Sequence, residues 1–263
     1  MGKSDGGMMT FGGHLEALRK MLIRMVIVTL VLAVAIFCFK DEAFRLLLAP
    51  GSSDFVTYRT LERLCASVGW SLHIEPFRIE LINTELSNQF LVHVSTSVYL
   101  ALLLASPYVV LELYAFVAPA LYESERRYSV PVALAVYVLF LLGVLMSYYI
   151  LFPFALRFLG TYQVSASVVN QINLSSYIST FTTLTLLMGL VFQIPVLSLL
   201  LSRLGVLESG FMRHYRRHAL ILVMLVAAVI TPPDIFTLLI VSLPMYALYE
   251  LSIIIVRLRE RRG

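Results

Sequence analysis

Glu112-Leu-Tyr-Ala-Phe-Val-Ala-Pro-Ala-Leu-Tyr-Glu-Ser-Glu-Arg-Arg127 begins where one long apolar segment ends and stops where the next begins. It therefore reads as a connector between two membrane spans. It places a carboxylate at the membrane edge (Glu112), aromatics at interface depth (Tyr114, Phe116, Tyr122) and a proline (Pro119), then closes on Glu123, Glu125, Arg126 and Arg127. A loop that only reversed the chain would need a few polar residues. This one carries more chemistry than a turn requires.

Working outward, the rest of the chain is too apolar for water. Of 263 residues, 59% are hydrophobic and only 14% charged, with mean hydropathy +0.87; a soluble domain carries about 25% charged residues. Most of the apolar surface must face lipid. The fold class expected is all-α: a polytopic membrane protein of six transmembrane helices forming one integral membrane domain. The spans fall at about 21–39, 90–115, 130–152, 177–201, 219–231 and 236–256. Each needs roughly 17–25 apolar residues to cross.

Before the first span, His14, Leu15, Leu18, Met21 and Leu22 recur at helical spacing, so an amphipathic helix leads into it. A signal peptide is the competing reading, but the apolar run exceeds an h-region of about 7–15 residues and no small-residue cleavage site follows. Arg24, in the first turns of the span, can snorkel to the interface. Residues 40–88 form the longest polar segment, broken at Pro50-Gly51. Residues 61–68 and 74–86 read there as short surface helices, with Trp70 as an interfacial anchor.

Pro107 interrupts the second span and frees a backbone carbonyl; Pro153 reads as the stop of the third. The fourth carries Gln193 and Pro195. Pro232 and Pro233 force a turn between the last two apolar runs. The first of these, 219–230, is only about 18 Å long at 1.5 Å per residue, against a hydrocarbon core of about 30 Å. Either it recruits flanking residues or the bilayer thins there; thinning is the expectation.

Basic residues set the orientation. Alternation puts Lys3, Arg19, Lys20, Arg24, Arg126, Arg127, Arg203, Arg213, Arg216, Arg217, Arg257, Arg259, Arg261 and Arg262 on one side, and Lys40, Arg45, Arg59, Arg63, Arg78 and Arg157 on the other. Both termini, and the 112–127 stretch, are then cytoplasmic. The +4 net charge follows this rule and is not a nucleic-acid footprint. Cys38 and Cys65 do not read as a disulfide framework.

Catalytic signals are missing. There is no phosphate-binding Gly-x-x-x-x-Gly-Lys-Ser/Thr loop and no His-Glu-x-x-His. His214 and His218 are four apart, yet Arg216 and Arg217 lie between them and no carboxylate completes a metal site. No Ser/His/Asp set can be assembled at a common depth. No enzyme, cofactor or metal is expected.

Polar groups at membrane depth are functional candidates. Glu112 can bind or simply reach headgroups. Gln193 can satisfy the carbonyl that Pro195 frees, or offer its amide to a partner. Glu250 can be neutralised by Arg257 or Arg259. No file of acids runs through the bundle, as a coupled secondary transporter would show. Glu125, among apolar neighbours, suits a guanidinium through paired charge-assisted bonds. A loop salt bridge to Arg126 or Arg127 is the alternative.

Residues 115–127 resemble the signature loop of TatC, the multi-spanning subunit of the twin-arginine protein translocase. So do His14-Leu-Glu-Ala-Leu-Arg19, Phe152-Pro153 with Phe158-Leu159, Phe192-Gln193-Ile194-Pro195, and Thr231-Pro-Pro-Asp234 followed by Pro244-Met245-Tyr246. The resemblance implies a cupped bundle in the cytoplasmic (inner) membrane that binds twin-arginine signal peptides of folded cargo. It also implies assembly with single-span partner subunits of the TatA and TatB type, as a homo-oligomer in the active complex, driven by the proton-motive force. It assigns Glu125 to the arginine pair with Phe116 beside it, Arg19 to the amino-terminal motif, Pro50 to the end of the first outer helix and Gln193 to a partner-facing position. Two positions depart from the family pattern. The family's amino-terminal acid falls at Ala17, whereas Glu16 is rotated about 100° from it, and the fourth-span residue, often Glu, is Gln193. A secondary transporter and a passive membrane scaffold are the rival readings.

Overall fold

The computed structural model describes residues 11–70, 75–117, 129–163, 165, 170–231 and 234–261. Pro119, Glu125, Arg126, Arg127, Pro232 and Pro233 lie outside the described residues, as does the side chain of Phe116, whose backbone closes a helix.

Eleven helices are described: α1 Phe11–Cys38, α2 Lys40–Leu48, α3 Val56–Ser67, α4 Asn88–Val117, α5 Ser129–Met146, α6 Phe152–Thr161, α7 Leu174–Val191, α8 Ile194–Arg203, α9 Ser209–His214, α10 Arg216–Ile230 and α11 Ile235–Glu260. Five stretches among them are long and apolar enough to cross a membrane: Leu15–Cys38, Asn88–Leu113, Ala133–Thr161, Leu174–Arg203 and Ile235–Glu260. Helix α10 takes in Arg216–His218 ahead of the apolar run and still reaches only about 22 Å. Cys38 and Cys65 are both free thiols.

Pairwise packing builds the bundle. Helix α1 lies on α4, α5 on α7, and α11 on α8 and α10. The core, at the meeting of α4, α6, α7 and α11, is filled by Phe152, Tyr177, Phe181, Leu184, Met188 and Met245. Phe152 and Phe181 meet edge-to-face at 4.9 Å, the geometry that ring quadrupoles favour. Among the described side chains of α1 only Met21 and Ala33 are buried, while Val26, Leu30, Val31 and Val34 are at least 60% exposed. In water that stripe would be a liability; against lipid chains it costs nothing.

The α5–α7 seam is the tightest. A Cβ on Gly143 would stand 2.5 Å from the Met188 carbonyl oxygen, and one on Gly189 would stand 2.7 Å from the Phe140 ring. Small residues let the two backbones touch, and Ser147 and Thr185 share a hydroxyl hydrogen bond of 3.2 Å across the seam.

Each membrane proline has its own solution. Pro107 frees the Leu103 carbonyl, and Ser106, the residue before it, donates its hydroxyl to that oxygen at 2.6 Å. Helix α4 therefore runs on through the proline. Pro153 does not stop the third span: a π-helical turn, Ser147–Leu151, leads into α6, where Pro153 sits in the first turn. The Tyr149 carbonyl, four residues back, accepts from the Thr57 hydroxyl of α3, and the Pro153 carbonyl accepts from Tyr58 at 2.7 Å. At Pro195 the fourth span breaks into α7 and α8 around Phe192 and Gln193.

One expected surface helix is absent. Residues 75–82 are extended: Arg78 bridges Ser52, and Leu81–Ile82 (β1) pairs in parallel with Ile172–Asn173 (β2). Half-buried Phe77, Ile79 and Leu81 alternate with exposed Arg78 and Glu80, which is the period of a strand, and Pro76 discourages a helix. The other expected helix, 61–68, forms as the second half of α3. Helix α3 is tied down by Tyr58, which is buried, and whose phenol burial pushes up to about 12 while the nearby Arg157 cation pulls the other way. Arg157 also stacks over the rings of Tyr58 and Phe77 at 5.8 and 5.7 Å. Pro50 is buried in the short 3-10 turn that follows α2. Trp70, just past α3, is exposed.

Candidate functional site

The amino-terminal turns of α1 and the last turns of α4 enclose a cleft of about 340 Å³ lined by Gly13, Glu16, Ala17, Lys20, Met21, Arg24 and Glu112. The α1 residues recur every three or four positions, so they share one helical face. Glu16 pairs with Lys20 at 2.7 Å, one turn on. Arg24 Nη1 reaches Glu112 Oε1 on α4 at 3.2 Å, and the Tyr108 hydroxyl donates to the same oxygen at 2.6 Å. The Glu112 side chain is only 13% exposed and Arg24 is 59% exposed. Shielding on the carboxylate side strengthens its pull on any cation.

Several expectations are settled here. Glu112 is not spread toward headgroups; it is held by Tyr108 and Arg24. Arg24 does not snorkel freely, because its guanidinium is turned to α4. Glu16 and Ala17 both line this cleft, so the rotation between them does not carry the acid away from it. Arg19 is exposed and does not line it. Tyr108 was missed, although a Tyr-x-x-x-Glu spacing puts both groups on one helical face.

The same motif recurs on α11. Tyr246 donates to Glu250 Oε1 at 3.1 Å, and Arg216 of α10 meets Glu250 Oε2 at 2.6 Å. The expected partners Arg257 and Arg259 are not used. Arg259 donates instead to the Ser202 carbonyl at 2.7 Å, because about two and a half further helical turns carry it past Glu250 to the end of α8.

Gln193, at the α7–α8 break, donates its amide to the carbonyls of Val136 and Gly189, each at 3.2 Å. It does not cap the oxygen that Pro195 frees. Its own backbone N–H turns to Leu190, and the side chain replaces it on Gly189. Its Oε1 is buried and has no partner among the described residues, so the acceptor half of the amide is unspent there. Among the described residues no three His, Cys, Asp or Glu side chains converge as a metal site. His214 and His218 flank the ring of Tyr215 at 5.0 and 5.4 Å.

Comparison with known proteins is consistent along the chain. The family model described as Sec-independent protein translocase protein (TatC) matches residues 13–244. A protein of that name from Blattabacterium of Periplaneta americana is 34% identical over 257 residues, 96% of this chain and 97% of its own length. One from Deinococcus radiodurans is 34% identical over 93% of this chain and 84% of its own length. A crystal structure described as the twin arginine translocase receptor TatC superposes with a TM-score of 0.72 at 27% identity, covering 93% of this chain and 98% of that one.

Proposed function

We propose, on the premise that this chain belongs to the TatC family of Sec-independent protein translocase proteins, that it is the receptor and assembly core of a twin-arginine translocase. It is a membrane protein of protein transport, a translocase component and not an enzyme. In this reading it crosses the cytoplasmic membrane six times, α10 serving as the short fifth span, with both termini in the cytoplasm. Signal peptides of folded cargo bind at the cytoplasmic face, single-span TatA- and TatB-type subunits then assemble on it, several copies join in the active complex, and the proton-motive force drives export.

The observation that carries the reading is the carboxylate-bearing cleft between α1 and α4. It lies where α4 runs out into residues 112–127, the connector that holds Glu125, Phe116, Arg126 and Arg127. A guanidinium pair is recognised best by carboxylates in a partly desolvated setting, through forked hydrogen bonds that an ammonium cannot make. In this reading Glu125 receives the arginine pair with Phe116 as its apolar contact, and Arg19, Arg126 and Arg127 are the basic residues of the two motifs that serve it. Gln193, with an acceptor to spare, is the position for a partner helix or the deeper signal peptide; hydrogen bonding there does not depend on titration.

The test is binding of a twin-arginine signal peptide to the purified protein in detergent, wild type against Glu125→Gln, with a paired-lysine peptide as control. Wild type should prefer the arginine pair and Glu125→Gln should lose that preference. Equal binding of both peptides by both proteins would move recognition out of this chain and favour the scaffold reading.

A further inference from the structure

The two Tyr-x-x-x-Glu motifs have the same parts in different states of completion. On α11 both oxygens of Glu250 are engaged, Oε1 by Tyr246 and Oε2 by Arg216 at 2.6 Å. That pair is closed. On α4 both contacts of Glu112 converge on Oε1, the Arg24 contact at 3.2 Å. Oε2 has no partner among the described residues. A charge-assisted N–H···O bond is ordinarily about 2.7–2.9 Å, and a guanidinium favours both oxygens at once. The Arg24–Glu112 pair is therefore long, single-pronged and half complete.

Only one member of this pair is built to stay. Glu112 is shielded, anchored by Tyr108 and set on the rigid α4. Arg24 is a long side chain more than half exposed, tethered otherwise by one 3.4 Å bond from Nε to the Lys20 carbonyl. Glu16 and Lys20 line the same cleft, and Glu16 too is matched by an exposed cation of its own chain. We propose that Glu112 is a second guanidinium-binding carboxylate, taking an arginine side chain of the incoming peptide, and that Arg24 is its resident competitor. The peptide guanidinium enters the cleft and takes Oε2, then both oxygens. Arg24 swings out toward the aqueous interface, at small cost because its side chain is already largely solvated. An ammonium gains less, since it cannot fork onto both oxygens.

This inference rests on the signal-peptide reading above, and the test separates the two. Binding of fluorescent Arg-Arg and Lys-Lys peptides would be measured with the full chain in detergent, for wild type, Arg24→Gln, Arg24→Lys, Glu112→Gln and the Arg24→Gln/Glu112→Gln double variant. Removing the competitor should tighten Arg-Arg binding by about two- to fivefold, the range of one partly exposed ion pair. Glu112→Gln should weaken it by a similar factor, and in the double variant the gain from Arg24→Gln should vanish. Arg24→Lys, which keeps the charge but not the fork, should fall between wild type and Arg24→Gln. Lys-Lys binding should barely move. If wild type keeps an Arg-Arg preference that Glu125→Gln abolishes, while all Arg24 and Glu112 variants bind like wild type, the pair is a helix staple and the inference is overturned alone. If wild type shows no Arg-Arg preference, both readings fall together.

Discussion

Replacing Gly143 by alanine should separate α5 from α7. The added Cβ would stand 2.5 Å from the Met188 carbonyl oxygen and 2.9 Å from both the Met188 carbonyl carbon and Gly189 Cα. All three are backbone atoms, so no rotamer change relieves the clash. With ordinary contact beginning near 3.4 Å, the helices must part by roughly 0.9 Å, and close-packed interiors do not absorb such a gap. The Ser147–Thr185 hydrogen bond, now 3.2 Å, would then open to about 4 Å, outside hydrogen-bonding range. Overpacking costs about 1–3 kcal/mol and the lost hydroxyl pair about 1 kcal/mol more. At about 2–4 °C per kcal/mol for a domain of this size, the apparent melting temperature should fall by roughly 4–16 °C. Size-exclusion chromatography after graded heating in detergent would measure it. Gly210→Ala is the control, because nothing lies within 4 Å of that position and alanine favours the helix. If Gly143→Ala melts within 2 °C of wild type, the seam is not close-packed and the reasoning fails.

Two further outcomes can be checked together. Tyr58→Phe should leave the Pro153 carbonyl without its donor, costing about 1–3 kcal/mol and exposing the 56–67 segment to limited proteolysis. The Tyr58 phenol is pushed from 10.0 up to about 12, so the folded state holds this proton more tightly than the unfolded chain does. Its contribution is whole below pH 10 and lost as pH rises toward 12. The wild type should therefore lose stability between pH 10 and 12 more steeply than Tyr58→Phe, and equal slopes would refute the assignment. Separately, α10 spans only about 22 Å, so a spin label at Thr231 should sit closer to aqueous relaxants than an unthinned bilayer allows; ordinary depth there would exclude local thinning.

The prolines show how local sequence and distant structure divide the work of keeping a membrane backbone satisfied. Ser106-Pro107 is self-contained, since the residue before the proline caps the carbonyl it frees. Pro153 is not. The carbonyl it frees is met by Thr57, which lies 92 residues away in sequence. Position 153 is thus also the docking point of α3, and the helix continues past a proline that the sequence reads as a stop.

Much was legible without coordinates. Apolar length marks the five stretches long enough to cross a membrane, because such a helix must cover the hydrocarbon core. The motifs around Glu125, Gln193 and Thr231–Asp234 carry the family on their own. The strand at 75–82 was legible too, in the alternation of Phe77, Ile79 and Leu81 with Arg78 and Glu80, and was obscured by expecting surface helices. What the sequence could not contain is which charges meet. Arg24 finds Glu112 across 88 positions, and Glu250 takes Arg216 on another helix instead of the arginines that follow it. Hydropathy is a local sum and survives any rotation of a helix about its axis. An ion pair depends on that rotation and on the height at which two helices cross, and both are decided only by how α1 packs on α4 and α10 on α11.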